Sequence, residues 1–325
     1  MNLTPAYDLV IGGTSILSRL QGRAVSISVT DQAGFDSDSL SIEIEAGARD
    51  IALPRKGAVI SVSLGYVESG LSPMGQFTAD EVRVTGVPVK IAISAKAADM
   101  RRTQKQSRTE SYEKLTIGDI VGRIAARHGL AAAVGQDLAG IAIPYVAQTE
   151  ESDLHFLTRL ARNFGAVAAP KNGRMVFARR GQGKSVSGLA LPALTLTPAQ
   201  VSDFDFQMPD RPRVKTVKAH WHDTKAAERK AVTATAGGDD AELVLRHPFP
   251  TEGEAQAAAD GKAADLKRAE GSFTASLSGN PQIKAEMRIS TRGFYPGTDM
   301  EWTVSEATHD MSDGAFTTSI TCEVA

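Results

Sequence analysis

Alternating hydrophobic and polar positions dominate the first third of the chain. The clearest alternating runs are Ala24–Val29, Leu40–Glu45, Val59–Leu64, Phe77–Val84 and Val89–Ala95. Successive side chains of a strand point to opposite faces, so Val25, Ile27 and Val29 are predicted to share one face. The segments between the runs are rich in Asp, Ser, Gly and Pro, which favour turns. Several short strands at this spacing predict an antiparallel barrel or sandwich.

The hydrophobic period becomes helical in the middle of the chain. Thr116 is a predicted N-cap with Asp119 in the first turn, and a second helix is predicted to start near Ser152 and to end at Gly165. The Asn-Gly pair at 172 and 173 supplies the positive backbone angles of a tight turn, which predicts a hairpin. This section is therefore predicted to be a small α+β insert in a mainly β protein.

Strand-like alternation returns towards the C-terminus. Val214–Asp223 and Arg229–Ala236 are predicted to be antiparallel partners. Thr251 and Glu254 match a capping box and predict a helix that Gly261 is expected to weaken. The remaining alternation predicts a second barrel, to which this helix is attached.

Composition excludes several classes of protein. The 325 residues carry 36 basic and 38 acidic side chains, so the chain has no excess positive charge with which to hold nucleic acid. Cys322 is the single cysteine, which rules out an internal disulfide and a cysteine-based zinc site and fits folding in a reducing cytoplasm. Without a basic leader or a run of about 18 apolar residues, neither secretion by a signal peptide nor a membrane span is expected.

One short basic stretch interrupts this neutral pattern. Arg101, Arg102, Lys105 and Arg108 cluster within residues 101–111 and could form a nucleic-acid patch. Because the stretch is short and has no interleaved aromatic side chains, we favour an exposed strand or loop that contacts another subunit.

A search for catalytic chemistry gives little. His220 and His222 are two positions apart on a predicted strand, a spacing compatible with two ligands of one metal ion. A third ligand would have to come from elsewhere in the chain, so an exposed strand face is the favoured interpretation. The sequence lacks the signatures of serine hydrolases, P-loops and dinucleotide-binding motifs. A carboxylate pair for glycoside hydrolysis stays open, because such a pair is defined by its separation in space and not by its spacing in the sequence. We therefore predict no catalytic, metal-binding or cofactor-binding residues.

Five ordered stretches resemble the late control protein D family, the tail hub of contractile-tailed temperate phages. These are Ser28–Glu45, Leu53–Tyr66, Gly75–Val82, Thr116–Leu130 and Gln148–Phe177. The resemblance extends to Gly293–Met311 and is shared with the N-terminal part of type VI secretion spike proteins. It implies a non-enzymatic protein with two barrel-like tube domains. The expected units are a first β-barrel tube domain over 1–98, an α+β insert over 99–180, and a connector with the second barrel over 181–325, including a helix near 251–270.

The resemblance also implies partners. The expected assembly is a homotrimeric ring that adapts a sixfold tail tube to a threefold central spike, which is a separate chain because this sequence ends at Ala325. Further expected partners are the tube or tube-initiator protein, baseplate wedge proteins and a tape measure protein in the lumen, without membrane or sequence-specific nucleic-acid binding. Assembly is expected in the bacterial cytoplasm, followed by incorporation into a virion tail baseplate or an injection particle. The alternatives are a tail-associated cell-wall hydrolase and a carbohydrate-binding β-module.

Overall fold

A computed structural model describes residues 3–34, 37–47, 51–97, 106–171, 173–181, 183, 190–209, 214–223, 226–239, 241–312 and 314–325. The predicted mainly β fold with an α+β insert is confirmed. Four hydrophobic clusters form its cores.

The first barrel contains seven strands and one short helix. They are β1 (Pro5–Ile11), β2 (Thr14–Ser15), α1 (Leu17–Leu20), β3 (Val25–Gln32), β4 (Ser39–Glu45), β5 (Val59–Tyr66), β6 (Gly70–Thr85) and β7 (Lys90–Ala97). The strands pair in the order β3-β4-β7-β6-β5-β1-β2. Val25, Ile27 and Val29 all lie in the core, as the alternation predicted.

The insert has its own core between short sheets and helices. Its elements are β8 (Arg108–Thr116), α2 (Ile117–Arg127), β9 (Ala131–Val134), α3 (Gln136–Ala139), β10 (Ala142–Glu151), α4 (Asp153–Asn163), β11 (Ala166–Lys171) and β12 (Arg174–Arg179). Thr116 caps α2 in a capping box with Asp119, and the Ser152 side chain accepts from the amide of His155 at the start of α4. Both predicted helices and the predicted hairpin are confirmed.

The C-terminal half contains the remaining nine strands. They are β13 (Ala193–Leu196), β14 (Val201–Gln207), β15 (Val214–Asp223), β16 (Glu228–Thr235), β17 (Ala241–Val244), β18 (Ser272–Ser278), β19 (Arg288–Thr291), β20 (Glu301–Ser312) and β21 (Ala315–Val324), with helix α5 (Glu252–Arg268) between β17 and β18. Strands β14, β18, β21 and β20 are consecutive neighbours, and β13 and β19 extend from β20. Trp302 and Phe273 lie fully buried in this second barrel core.

Strands β15, β16 and β17 form a separate three-stranded sheet under α5. The predicted pairing of β15 with β16 is confirmed, and the helix packs mainly on this sheet, with a smaller contact to β21 of the second barrel. The reason is the alanine-rich face of α5, where Ala255 and Ala259 let the helix approach Val217 and Ala219 closely. The chain leaves the barrel after β14 and returns at β18, so residues 214–269 form a side module.

Candidate functional site

One β-sheet runs through both barrels. Strand β3 of the first barrel pairs antiparallel with β20 of the second, in a register from Gln32 opposite Glu306 to Ser26 opposite Ser312. The two barrels therefore share a wall that is hydrogen-bonded across their boundary. Such a ladder resists hinge motion because opening it would leave backbone groups without partners.

Eight consecutive strands make up this shared wall, in the order β14-β18-β21-β20-β3-β4-β7-β6. Every neighbouring pair is antiparallel. At one end lies β14. At the other lies the second half of β6, because β5 pairs with β6 no further than Thr78. Within the described residues, neither Val201–Gln207 nor Glu81–Thr85 has a strand on its outer side, which leaves two free edges.

Hydrophobic side chains at both free edges are incompletely covered. Phe204 on β14 lies on the core side of the wall, with its ring centroid 4.9 Å from that of Phe294, yet it is 43% exposed. On β6, Val84 pairs with the buried Ile91 but is 51% exposed. Exposed edge strands with apolar side chains are sites where another strand can add.

The outer faces of the two edges differ in charge, because the β14 edge is acidic and the β6 edge carries a cation. Asp203 and Asp205 lie on β14, facing away from the barrel core, since the alternate Phe206 stacks on Phe273 at 4.5 Å. Arg83 occupies the corresponding face of β6, beside Glu81. All of these charged side chains are exposed.

A mostly buried charge cluster joins the insert to both barrels. The Lys171 ammonium on β11 donates to Asp31 Oδ1 at 2.6 Å and to the Gln32 carbonyl at 2.6 Å, and it lies 2.8 Å from Asp38 Oδ1. The second oxygen of Asp31 accepts the backbone N–H of Ala285, from the second barrel, at 3.0 Å. A single carboxylate thus connects three parts of the molecule.

The electrostatics of this cluster are asymmetric. Burial raises the pKa of Asp38 to about 6, and the neighbouring charge of Asp31 adds to that rise, although the Lys171 ammonium opposes both. For Asp31, burial is outweighed by Lys171 and by the hydrogen bonds, so its pKa is lowered. The two carboxylates raise the pKa of Lys171 despite its burial. One buried cation therefore neutralises Asp31 well and Asp38 poorly.

The side module docks on the insert through two glycines. A Cβ atom on Gly261 of α5 would lie 2.4 Å from the Cα of Gly165, which follows the C-cap residue of α4. Gly165 itself has a φ of +58°. The expectation that Gly261 simply weakens its helix missed this contact, because a close approach between distant segments leaves no periodic signal in the sequence.

A second network organises the insert around Asp153, which is 3% exposed. Its carboxylate accepts from Arg127 at 2.9 Å and from Gln148 at 2.9 Å, and it lies 2.9 Å from Nε2 of His128. Burial raises the pKa of Asp153, but the hydrogen bonds from Gln148 and Arg127 outweigh burial and lower it. This network accounts for the burial of the His128 side chain at the end of α2.

The predicted basic contact falls partly outside the described residues. Arg101, Arg102 and Lys105 are among those not described. Arg108 begins β8, with its side chain 38% exposed and its Nε 3.9 Å from Asp153 of the same chain. The predicted subunit contact stays a prediction.

The histidines and tryptophans occupy structural positions. His220 and His222 share the face of β15 that points away from α5, and no cluster of three metal-ligating side chains occurs in the described part of the chain. His309, fully buried, lies 3.0 Å from the Thr318 hydroxyl and 3.1 Å from the Ile283 carbonyl. Trp302 is buried and Trp221 lies under Lys230, so neither presents an open aromatic platform. Among the described residues, no helix is long and apolar enough to cross a membrane.

Comparisons with known proteins agree with this architecture. A family model described as phage tail baseplate hub matches residues 38–315. The probable baseplate hub protein of Escherichia phage P2 is 33% identical, with 99% of this chain and 94% of that protein covered. The 43 kDa tail protein of prophage MuSo2 from Shewanella oneidensis has a similar fold, with a TM-score of 0.72 at 16% identity over 98% of both chains. A type VI secretion system component of E. coli also has a similar fold, with a TM-score of 0.57 at 13% identity over 98% of this chain and 76% of that one.

Proposed function

Because the chain belongs to the phage tail baseplate hub family, we propose that three copies form a ring that adapts a sixfold tail tube to a threefold central spike. The hub role itself follows from the family. The stoichiometry, the symmetry matching and the partners are the proposal.

The observation that carries it is the shared wall of the two barrels. A threefold ring presents six similar units if each chain supplies two of them, and here two barrels lie side by side in one sheet. The second barrel is therefore positioned by hydrogen bonds relative to the first. Three chains would repeat that arrangement around an axis.

The free edges supply a way to close the ring. An all-antiparallel wall of eight strands has its two end strands running in opposite directions. Strand β14 of one copy can therefore pair antiparallel with the second half of β6 of the next copy, which continues the ladder without a change of pattern. Such a head-to-tail contact generates a ring when its rotation closes.

The chemistry of the two edges supports this pairing. Joining them would cover Phe204 of one copy with Val84 of the next on the core side. On the other face, this register places Arg83 opposite Asp205 and diagonal to Asp203. Glu81 would oppose any register that brings it against the aspartates. The contact thus combines backbone pairing, apolar burial and charge complementarity.

The remaining partners follow from the hub role. We infer contacts with the spike, the tube or tube-initiator protein and the baseplate wedges, and a tape measure protein in the lumen. Residues 101–108 are proposed as an additional contact between subunits, and the assembled ring as part of the virion tail baseplate or an injection particle after assembly in the cytoplasm.

A charge exchange tests the ring contact. Arg83→Glu and Asp205→Lys each place like charges across it and are expected to lower the trimer fraction at fixed concentration at least tenfold, measured by sedimentation velocity. The double variant restores complementarity and should recover most of the trimer. Lys56→Glu, an exposed charge in the turn before β5, is the control and should leave the trimer intact. Single variants that trimerise like the unmodified chain contradict the proposed contact.

A further inference from the structure

A cavity of about 340 Å³ lies where the insert meets both barrels. One of its walls is the face of β11 and β12 that points away from the core of the insert, since the alternate residues Ala168 and Phe177 lie in that core. This wall and the segments beside it supply apolar side chains, namely Val167, Ala169, Val176, Ala178, Met74 and Leu191. The facing side is formed by the end of β3 and by residues 284–286 of the second barrel. The cavity can therefore hold an aliphatic ligand chain.

Charged side chains also line the cavity, and their pairing decides which charge it can bind. The described members of this set are three acids and three cations, namely Asp31, Asp38, Glu286, Lys171, Arg179 and Lys284. Lys171 is engaged by two of the acids. Arg179 donates from Nε to Asp137 at 2.7 Å, and Lys284 is exposed. His309 lines the cavity too but bonds within the second barrel. The three cations are thus paired or in contact with solvent.

Glu286, by contrast, is incompletely paired. Its Oε2 accepts the backbone N–H of Gly181 at 2.6 Å. Its Oε1 is buried and has no hydrogen-bond partner among the described residues; the Nε of Arg180 lies 3.8 Å away, and that guanidinium bonds to Glu323. Burial raises the pKa of Glu286 more strongly than the Gly181 amide and the Arg180 charge lower it. A buried carboxylate oxygen without a donor is costly, so it favours a ligand that supplies one.

We propose that this cavity binds a primary ammonium group on a short aliphatic chain, with the ammonium at Oε1 of Glu286 and the chain along the apolar wall of β11 and β12. An ammonium supplies three donors and a positive charge, so it can complete the pairing of this carboxylate. The cavity volume lies at the small end of the range for ligand sites, which fits an aliphatic amine and not a larger cofactor. Because the cavity borders the insert and both barrels, the bound amine would hold these three parts together. The proposal does not depend on the ring.

Isothermal titration calorimetry of the full chain tests the charge of the ligand. The probes are hexylamine, hexanol and hexanoate, which share an aliphatic chain and differ in their end group. Hexylamine is expected to bind at least tenfold more tightly than either of the others, because it alone pairs a positive charge with the carboxylate. Equal affinities for hexylamine and hexanol would overturn the proposal.

Two variants test the location of the site. Glu286→Gln removes the negative charge but keeps the shape of the side chain, and it should weaken hexylamine binding at least tenfold. Ala178→Leu fills the apolar wall and should weaken hexylamine binding at least tenfold without changing any charge. Glu252→Gln is the control, because it removes an exposed carboxylate at the start of α5, and it should bind hexylamine like the unmodified chain. Unchanged binding in Glu286→Gln contradicts the assignment.

Hydrogen exchange locates the ligand without a substitution. Hexylamine at saturation should slow the exchange of the β11 and β12 amides at least threefold in the unmodified chain, because the bound chain holds these strands against the barrels. Protection confined to other segments would place the amine elsewhere and refute the proposed site.

A free diamine and the lysine side chain of a partner protein both carry this chemistry. Putrescine and Nα-acetyl-lysine amide are therefore titrated into the same chain. Binding of either one supports the ligand class, and the tighter of the two identifies the source. A chain that binds neither contradicts the proposed ligand class.

Discussion

The contact between Gly165 and Gly261 makes a prediction of opposite sign to helix propensity. An exposed Gly→Ala exchange inside a helix normally stabilises it by about 1 kcal/mol. At Gly261 the new methyl group would lie 2.4 Å from the Cα of Gly165, a distance at which the two backbones must separate by more than 1 Å. Overpacking of this kind costs about 1–3 kcal/mol. Because the obstacle is backbone, no rotamer change can relieve it.

The gain in helix propensity of about 1 kcal/mol offsets part of this cost, so Gly261→Ala is expected to lower the free energy of unfolding by up to about 2 kcal/mol. The assay is urea unfolding followed by circular dichroism, together with hydrogen exchange of the α5 amides, which should become faster.

Gly253 in the same helix provides the matched control. A Cβ atom there would meet nothing within 4 Å, so Gly253→Ala should be neutral or slightly stabilising. The reasoning is refuted if Gly261→Ala is as stable as Gly253→Ala, with unchanged exchange in α5.

Three further predictions concern the contacts that join the two barrels and the insert. Lys171→Met leaves Asp31 and Asp38 without their cation and should lower the free energy of unfolding by on the order of 2–4 kcal/mol near pH 7. Urea unfolding measures this loss, and a loss of less than about 0.5 kcal/mol would show that the cluster does not contribute to stability. The raised folded pKa of Asp38, about 6, means that its contribution to stability is fully present below its unfolded pKa and is lost as the pH rises through 6. Asp38→Asn should therefore flatten the stability profile between pH 4 and 7 by on the order of 2–3 kcal/mol relative to the unmodified chain, and parallel profiles would contradict this. The Tyr66 hydroxyl donates to the Gly279 carbonyl at 2.8 Å, between the two barrels. Tyr66→Phe should therefore lower the free energy of unfolding by about 1–2 kcal/mol. Tyr7→Phe is the comparison, and equal losses in the two variants would contradict the prediction.

Local sequence patterns predict much of the fold. Alternation identified the strands around Ile27 because one face of each strand is buried, and caps such as Thr116 identified helix starts because their side chains bond to the first free amides. The resemblance of ordered stretches to a hub family identified the class of protein, which local physics alone does not specify.

Long-range features were not predictable in the same way. The pairing of β3 with β20 joins residues nearly 300 positions apart, and the Lys171 cluster joins three segments; neither leaves a periodic trace. The strands of the side module alternate like barrel strands, so the sequence pattern groups them with the second barrel. The strand pairing shows that they form a sheet of their own. The free edges of β14 and β6 likewise become visible once the strand order is known.

The most direct test of the hub assembly is the molar mass of the purified chain in solution, alone and after addition of the spike protein of the same particle, measured by light scattering. The chain has a mass of 34.4 kDa, so the ring predicts a species of about three times that mass, alone or combined with the spike. A stable monomer that ignores the spike would contradict the trimeric ring and, with it, the proposed pairing of β14 with β6.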